Sequence, residues 1–131
     1  MLVFHLENQS GVPVYLQLVH QVRSALLLGY LRPGDQLPLI REVVASLAIN
    51  PNTVSKAYRQ LEQEGLVVAR PGLGTFVTDQ PRTTVSVAAY ASLRRELVRW
   101  LGRAYNAGLD QQAVSALVST TQWEFQEEGV A

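Results

Sequence analysis

Cysteine is absent from the 131 residues, and its absence excludes disulfide bonds, thiolate zinc sites and cysteine nucleophiles. No apolar run reaches the roughly 20 residues that span a bilayer, and the first residues lack the pattern of a secretory signal. An excess of either charge is also lacking, because 11 Lys and Arg balance 11 Asp and Glu. We therefore expect a cytoplasmic protein whose net charge does not indicate a nucleic-acid partner.

Residues arranged for catalysis or metal binding are scarce as well. His5 lies in a strand-like N-terminal segment and His20 in a helical one, and neither has a second ligand at metal-binding spacing. The turn Gly72-Leu73-Gly74 lacks the third glycine and the strand-to-helix order of a dinucleotide loop, and no Walker lysine is present. The sequence therefore predicts neither an enzyme nor a bound metal or cofactor.

The first half of the chain contains a regular order of helix and turn signals. Apolar residues at helical spacing predict a first helix over about residues 12–28, which Gly29 is suited to end. Two prolines and a Pro-Gly turn make residues 31–38 a structured loop. Residues 39–47 then predict a short second helix.

The third helix has the clearest pattern. Asn50 is a typical N-cap, and Pro51 suits the position that follows it. The predicted buried residues repeat at positions i, i+3, i+4 and i+7: Val54, Ala57, Tyr58 and Leu61. The opposite face carries Asn52, Ser55, Lys56 and Arg59. These side chains are suited to bond bases and phosphates if the helix lies in a major groove.

Two short strands, residues 66–70 and 75–78, are predicted around a glycine-rich turn. Gly72 and Gly74 allow a backbone to approach a minor groove, and Arg70 adds a charge beside them. Alone, such a hairpin is usually only a turn, and Asn-Pro is usually only a helix cap. Three helices followed by a hairpin, in this order, predict a winged helix-turn-helix.

Residues 81–131 predict a helical hairpin. An amphipathic helix over residues 84–107 ends at Gly108, and Asp110 is suited to cap the next helix. Two such helices expose more apolar surface than a monomer normally tolerates, so we expect a protein partner. The simplest partner is an identical chain. The residues expected at this homodimer interface are Leu93, Leu97, Trp100, Leu101, Val114, Leu117, Val118 and Phe125. The interleaved arginines 94, 95, 99 and 103 are expected to be solvated or to pair across subunits.

The fold class is therefore mainly α with a small β-hairpin. We expect a winged helix-turn-helix DNA-binding domain over residues 1–80 and an α-helical dimerisation tail over residues 81–131. The polar segment 79–84 is the candidate hinge between them.

Several stretches in residues 12–77 resemble the GntR-type transcriptional regulators. These are PVYLQL at 13–18, GYLRPGDQLP at 29–38, RE at 41–42, NTV at 52–54, AY at 57–58, LE at 61–62, EGL at 64–66 and GLGTFV at 72–77. The start of the third helix and the short tail are most similar to the YtrA subfamily. That resemblance implies a small dimeric regulator with only helices after its DNA-binding domain, often encoded beside transporter genes.

The resemblance also implies that Arg41, the stretch 50–55, Lys56, Arg70 and Gly72 face DNA. With the residues chosen from helix spacing and the turn, the predicted DNA-binding set is Arg41, Asn50, Asn52, Thr53, Ser55, Lys56, Arg59, Arg70, Gly72 and Gly74. The sequence departs from the family pattern in three respects. Leu39 replaces a usual serine, Pro71 replaces an often basic residue, and no arginine stands at Pro51 or Ser55.

We therefore expect a sequence-specific regulator of transcription, a repressor that binds double-stranded DNA as a homodimer on an inverted-repeat operator. A small-molecule effector is allowed but not identified by the sequence, and no membrane partner is expected. The alternative is a winged-helix module that binds another protein, or the DNA-binding head of a larger regulator.

Overall fold

The computed structural model describes residues 2–8, 10–83 and 85–128. Within these ranges lie five helices, α1 Val14–Leu27, α2 Ile40–Leu47, α3 Pro51–Gln63, α4 Val87–Asn106 and α5 Gln111–Glu127, and two strands, β1 Val67–Arg70 and β2 Gly74–Val77. The predicted mainly α class is confirmed. The chain divides into two compact units, Met1–Tyr90 and Ala91–Ala131. In the predicted hinge, residues 79–83 belong to no helix or strand, and Thr84 lies outside the described residues.

The core of the first unit forms mainly between α1 and α3. All four apolar residues predicted to face inward on α3 are buried. The largest fully buried side chains are Leu18, Val19 and Val22 of α1, Val54 and Leu61 of α3, Leu37 before α2, and Val67 of β1. Burying such side chains stabilises a fold by roughly 1.5–3 kcal/mol each, so this cluster fixes how the helices of the unit pack.

The first helix is slightly shorter than predicted. Pro13 is its N-cap rather than a residue of its first turn, so α1 begins at Val14. At the other end, Gly29 has φ 79°, and the Tyr30 N–H donates to the Ala25 carbonyl at 2.8 Å. Gly29 thus ends the helix in the left-handed conformation, which residues with a Cβ rarely adopt.

The helix-turn-helix consists of α2, a three-residue turn and α3. Ala48 ends α2 in the left-handed conformation, with φ 53°. Leu39 is the N-cap of α2 and makes no side-chain capping bond, as expected from the missing serine. The Glu42 carboxylate accepts a hydrogen bond from the Leu39 N–H at 2.9 Å instead. One half of a capping box therefore holds this helix start.

The hairpin is antiparallel, with Val67 paired to Val77 and Arg70 paired to Gly74. The loop before α2 also pairs with β2. Gln36 forms a β-bridge with Phe76, and the Leu37 N–H donates to the Thr75 carbonyl at 2.8 Å. The hairpin from β1 to β2 is the wing of the fold, and this added edge connects it to the start of α2.

The N-terminal segment pairs with side chains of α1, and His5 belongs to no strand. Gln21 of α1 accepts from the His5 N–H at 3.0 Å and donates to its carbonyl at 2.6 Å. Gln17 bonds the backbone of Glu7 in the same way, at 2.8 and 3.0 Å. Four residues of helix rise about 6 Å and two extended residues span about 6.7 Å, which explains why the two spacings match.

The second unit contains most of α4 and all of α5. Gly108 has φ 103° after the end of α4, and Asp110 accepts a hydrogen bond from the Ala113 N–H at 2.8 Å. The predicted end of α4 and the predicted cap of α5 are both confirmed. The start of α4 differs from the prediction, because the helix begins at Val87 rather than near residue 84. In the part of the chain that the structure describes, no helix is both long and apolar enough to cross a membrane.

Candidate nucleic-acid interface

The start of α3 is held by Asn50. Its Oδ1 accepts a hydrogen bond from the Asn52 N–H at 2.8 Å, and Pro51 occupies the first helical position. These contacts confirm the predicted helix start. Asn50 thus has a structural role as N-cap, and its side-chain oxygen already accepts a bond within the protein.

The polar face predicted for α3 lies on the surface. Asn52, Lys56 and Arg59 are exposed, whereas Ser55 and Thr53 are half-buried. The opposite face of the helix fills the core, so α3 offers only this side to a partner. Its short polar residues come first and its basic residues follow, an order that suits base contacts near the helix start and phosphate contacts beyond it.

Two grooves adjoin α3. One, with a volume of about 530 Å³, is lined by Pro38, Leu39, Ile40, Arg41, Val44, Ala45, Pro51, Tyr58, Gly74 and Thr75. The other, of about 420 Å³, is lined by Ile40, Asn52, Ser55, Tyr58, Arg59, Glu62, Ala69 and Thr75. The grooves share Ile40, Tyr58 and Thr75. The fold thus brings Arg41, Asn52, Ser55, Arg59 and Gly74 together, whereas Lys56, Arg70 and Gly72 do not line these grooves.

Two acidic side chains near this face are engaged with backbone N–H groups. Glu42 accepts from Leu39, as described above, and Glu62 accepts from the Ala69 N–H at 3.0 Å. A carboxylate bonded to a backbone N–H has part of its charge compensated, which reduces its repulsion of phosphate. The second bond also links α3 to β1 of the wing.

The hydroxyl of Tyr58 is occupied within the protein. It donates to the Pro38 carbonyl at 2.7 Å, and burial, followed by the nearby Glu42 carboxylate, raises its pKa above the ordinary value. Tyr58 therefore keeps its proton and connects α3 to the segment before α2. Packing, not phosphate contact, is its role here.

The wing turns at Pro71 and Gly72. The Leu73 N–H donates to the Arg70 carbonyl at 3.0 Å, and Gly72 has φ 76°, the sign that the third residue of a type II turn requires. Space for a Cβ at Gly72 is open. Arg70 is exposed, and its guanidinium carbon lies 5.4 Å from the centroid of the Phe76 ring. The turn therefore presents backbone and one cation at its tip.

Gly74 has an internal structural role that the sequence interpretation did not include. A Cβ built on it would lie 2.5 Å from the Gln36 Nε2 atom and 3.3 Å from Leu39. The same Nε2 group donates to the Leu73 carbonyl at 3.0 Å. The absence of a side chain at Gly74 thus allows Gln36 to hold the wing tip.

Sequence reasoning missed Gln36 and Glu62 as residues that position the wing. Both contacts join residues distant in sequence, and a glutamine in a loop or a glutamate on a helix is ordinary by itself. The family-like GDQLP stretch included Gln36, but it gave no indication of the contact with the wing.

Most of the apolar residues predicted for the dimer interface lie on the surface of the second unit. Leu93, Leu97, Leu117, Val118 and Phe125 are exposed, while Trp100 and Leu101 are half-buried. Val114 differs, because it is buried within the chain. A groove of about 630 Å³ on this unit is lined by Leu97, Trp100, Leu117, Val118, Thr121, Gln122, Phe125 and Gln126. The arginines at 94, 95, 99 and 103 are all exposed.

Among the described residues, no three His, Asp or Glu side chains cluster so as to hold a metal ion. His20 instead lies with Nδ1 3.3 Å from a guanidinium nitrogen of Arg23. His5 takes part in the backbone pairing with Gln21.

Comparison with known proteins finds a family model that matches this chain and a similar curated protein. The model of the family "Bacterial regulatory proteins, gntR family" matches residues 14–77. The HTH-type transcriptional repressor YtrA of Bacillus subtilis (strain 168) is 33% identical over 108 residues, which are 82% of this chain and 83% of that protein.

Two solved structures are also similar. YtrA from Sulfolobus acidocaldarius, a GntR-family transcription factor, is 32% identical with a TM-score of 0.53, and the match covers 76% of this chain and 97% of that one. AraR(DBD) in complex with operator ORE1 is 26% identical with a TM-score of 0.50, and the match covers 60% of this chain and 95% of that one.

Proposed function

Because the chain belongs to the gntR family of bacterial regulatory proteins, which are DNA-binding regulators of transcription and not enzymes, we propose that it is a repressor acting as a homodimer. Its operator is an inverted repeat, since two-fold symmetry in the protein requires matching half-sites about one helical turn apart. Resemblance to the YtrA subfamily supports transporter genes as its targets. The protein acts on them in the cytoplasm. YtrA of Bacillus subtilis is named a repressor, which supports the same sign of regulation.

The observation that carries this proposal is the exposed side of α3 beside the wing. Asn52 and Arg59 line one groove with Thr75 of β2, and Arg41 lines the neighbouring groove with Gly74. A helix of this kind reads base edges in the major groove, and side chains at its borders contact phosphates. Local basic residues supply the attraction that the zero net charge of the chain does not.

The dimer interface belongs to the helical tail. The groove between Leu97 and Phe125 is apolar and open, and exposed apolar surface of this kind marks a site of association. In this proposal residues 1–80 bind DNA and residues 81–131 hold two copies together. A second copy doubles the phosphate contacts and raises the affinity of two weakly basic domains.

The experiment is selection of bound duplexes from a random DNA pool at about 0.1 M salt, an ionic strength that still permits specific contacts. The mass of the purified protein is measured by light scattering in parallel. Arg59→Ala is the test variant, and Arg103→Ala, an exposed arginine of α4, is its matched control. We expect an enriched inverted repeat, a dimer mass, and weaker binding by Arg59→Ala alone.

The possible outcomes distinguish the proposed function from its alternatives. A dimer that enriches no sequence would contradict operator binding and favour a protein partner for the first unit. Equal loss by Arg59→Ala and Arg103→Ala would contradict the assignment of α3 as the DNA-facing helix. Enrichment of a single half-site by a monomer would contradict the homodimer.

A further inference from the structure

Lys56, on the exposed side of α3, holds its ammonium group over an aromatic ring. Its Nζ atom lies 4.0 Å from the centroid of the Tyr15 ring. Aromatic faces attract cations within about 6 Å of the ring centroid. Because Tyr15 belongs to the first turn of α1, this contact joins a proposed DNA-binding side chain of α3 to a different helix.

The ring is the fixed partner of this pair. Tyr15 is half-buried and packs against the core cluster. Leu18 and Val19 follow it by one helical turn on the same side of α1, and both are fully buried. Lys56 is exposed, and an unrestrained lysine moves its charge over many rotamers. The ring therefore limits where the charge of Lys56 resides.

The ammonium group remains able to bind an anion while it lies over the ring. It carries three N–H donors, and attraction to the ring face leaves the donors on the far side free for a phosphate oxygen. Lys56 also follows Asn52 by four residues, which places both on the same side of α3. A phosphate contact by Lys56 therefore fits with base contacts made from the start of the helix.

We propose that Tyr15 is a positioning residue that holds the Lys56 ammonium ready for a DNA phosphate. This inference rests on the proposed function, since it concerns the same interface. A side chain restrained before binding loses less conformational entropy when the complex forms. The effect belongs to the ring and not to the hydroxyl, so phenylalanine replaces Tyr15 fully and leucine does not.

The experiment compares Tyr15→Phe, Tyr15→Leu, Lys56→Ala and the double variant Tyr15→Leu/Lys56→Ala. Fluorescence anisotropy measures their binding to a labelled mixed-sequence duplex at about 0.1 M salt, and thermal melting checks folding. We expect Tyr15→Leu to weaken binding about two- to tenfold per subunit and Tyr15→Phe to bind as the unmodified protein does. In the Lys56→Ala background, Tyr15→Leu has no further effect.

Three binding results would overturn the inference. Equal weakening by Tyr15→Phe and Tyr15→Leu would assign the contact to the hydroxyl. Tighter binding by Tyr15→Leu would mean that the ring withholds the lysine from DNA. Full additivity of Tyr15→Leu and Lys56→Ala would show that the two side chains act independently.

A measurement without DNA separates this inference from the proposed function. In the free protein, the ring current of Tyr15 shifts the NMR signals of the Lys56 ε-methylene protons upfield. The shift is expected to remain in Tyr15→Phe and to vanish in Tyr15→Leu. Its absence from the unmodified protein would overturn the positioning role even if the duplex binds. Its presence in a protein that binds no duplex would instead contradict the proposed function, and the DNA role of the pair with it.

Discussion

Arg23 of α1 and Glu64, which follows the last turn of α3, form a bidentate ion pair. The Nε atom of Arg23 donates to Oε1 of Glu64 at 2.9 Å and Nη2 donates to Oε2 at 2.5 Å. The two side chains are 37% and 30% exposed. The pair thus links the ends of the two helices that form the core, at its border with solvent.

This pair makes the stability of the first unit depend on pH. The hydrogen bonds from Arg23 lower the pKa of Glu64 below its ordinary value. A carboxylate with a lowered pKa in the fold stabilises it above the unfolded value of about 4.3, and this contribution is lost as the pH falls through the lowered value. We expect Glu64→Gln to reduce the free energy of unfolding at pH 7 by at most about 1 kcal/mol, because the pair is partly exposed.

Urea unfolding followed by circular dichroism at several pH values checks this prediction. The difference between Glu64→Gln and the unmodified protein should shrink once the pH falls below about 4.3. Glu127→Gln, which alters an exposed glutamate of α5, serves as the control. A difference for Glu64→Gln that stays constant from pH 7 to acid would contradict the role of the ion pair.

Gly72→Ala and Gly74→Ala should destabilise the wing to different extents. Both glycines have positive φ, 76° at Gly72 and 131° at Gly74. A Cβ therefore strains the backbone by roughly 1–2 kcal/mol at Gly72, which lies in the left-handed region, and by at least as much at Gly74, whose φ lies outside it. Gly74→Ala must also displace Gln36, which lies 2.5 Å from the new atom, and thereby break its bond to the Leu73 carbonyl. Thermal melting should show the larger loss for Gly74→Ala, and an equal loss for both would contradict the contact with Gln36.

Asn52→Ala and Arg70→Ala should affect DNA binding in different ways. Loss of the bidentate base contact proposed for Asn52 should cost roughly 1–3 kcal/mol at one base position and relax specificity there. Loss of Arg70 should weaken binding to all sequences. It should also make the slope of log affinity against log salt concentration shallower, by the amount that corresponds to about one phosphate contact per subunit. Binding titrations on a selected and a mixed duplex at several salt concentrations measure both effects. Identical behaviour of the two variants would contradict these roles.

Leu97→Arg should convert the proposed dimer to a monomer, whereas Val98→Arg should not. Leu97 and Val98 are neighbours on α4 and are equally exposed, at 51% and 50%. Of the two, only Leu97 lines the apolar groove of the second unit. A charge buried at an interface without a partner is strongly unfavourable. Light scattering gives the mass, and circular dichroism shows whether the helices persist. A monomer produced by both substitutions, or by neither, would contradict the groove as the interface.

Features set by neighbouring residues could be predicted from the sequence. The Asn50 cap and the four buried residues of α3 depend on spacing within one helix, and the structure has both as predicted. Gly29 and Gly108 end their helices as predicted for the same reason. Local backbone preferences decide these features, and a single sequence displays them directly.

Features that join distant residues could not be predicted in this way. Gln36 pairs with the wing and Arg23 with Glu64 only after the core has brought α1, the loop before α2 and α3 together. The contact of Tyr15 with Lys56 is of the same kind. Helix spacing correctly placed Lys56 on the exposed side of α3, but it carried no information about which other helix lies next to it.

The pairing of Gln17 and Gln21 with the N-terminal segment affects which mutations this protein tolerates. Both carboxamides bind main-chain atoms of residues 5 and 7, and the exposed side chains there take no part. Every amino acid except proline supplies the required N–H and carbonyl groups. Evolutionary constraint should therefore fall on the two glutamines and on Phe4, which is buried in the core, leaving positions 5 and 7 free to drift or to carry an engineered label.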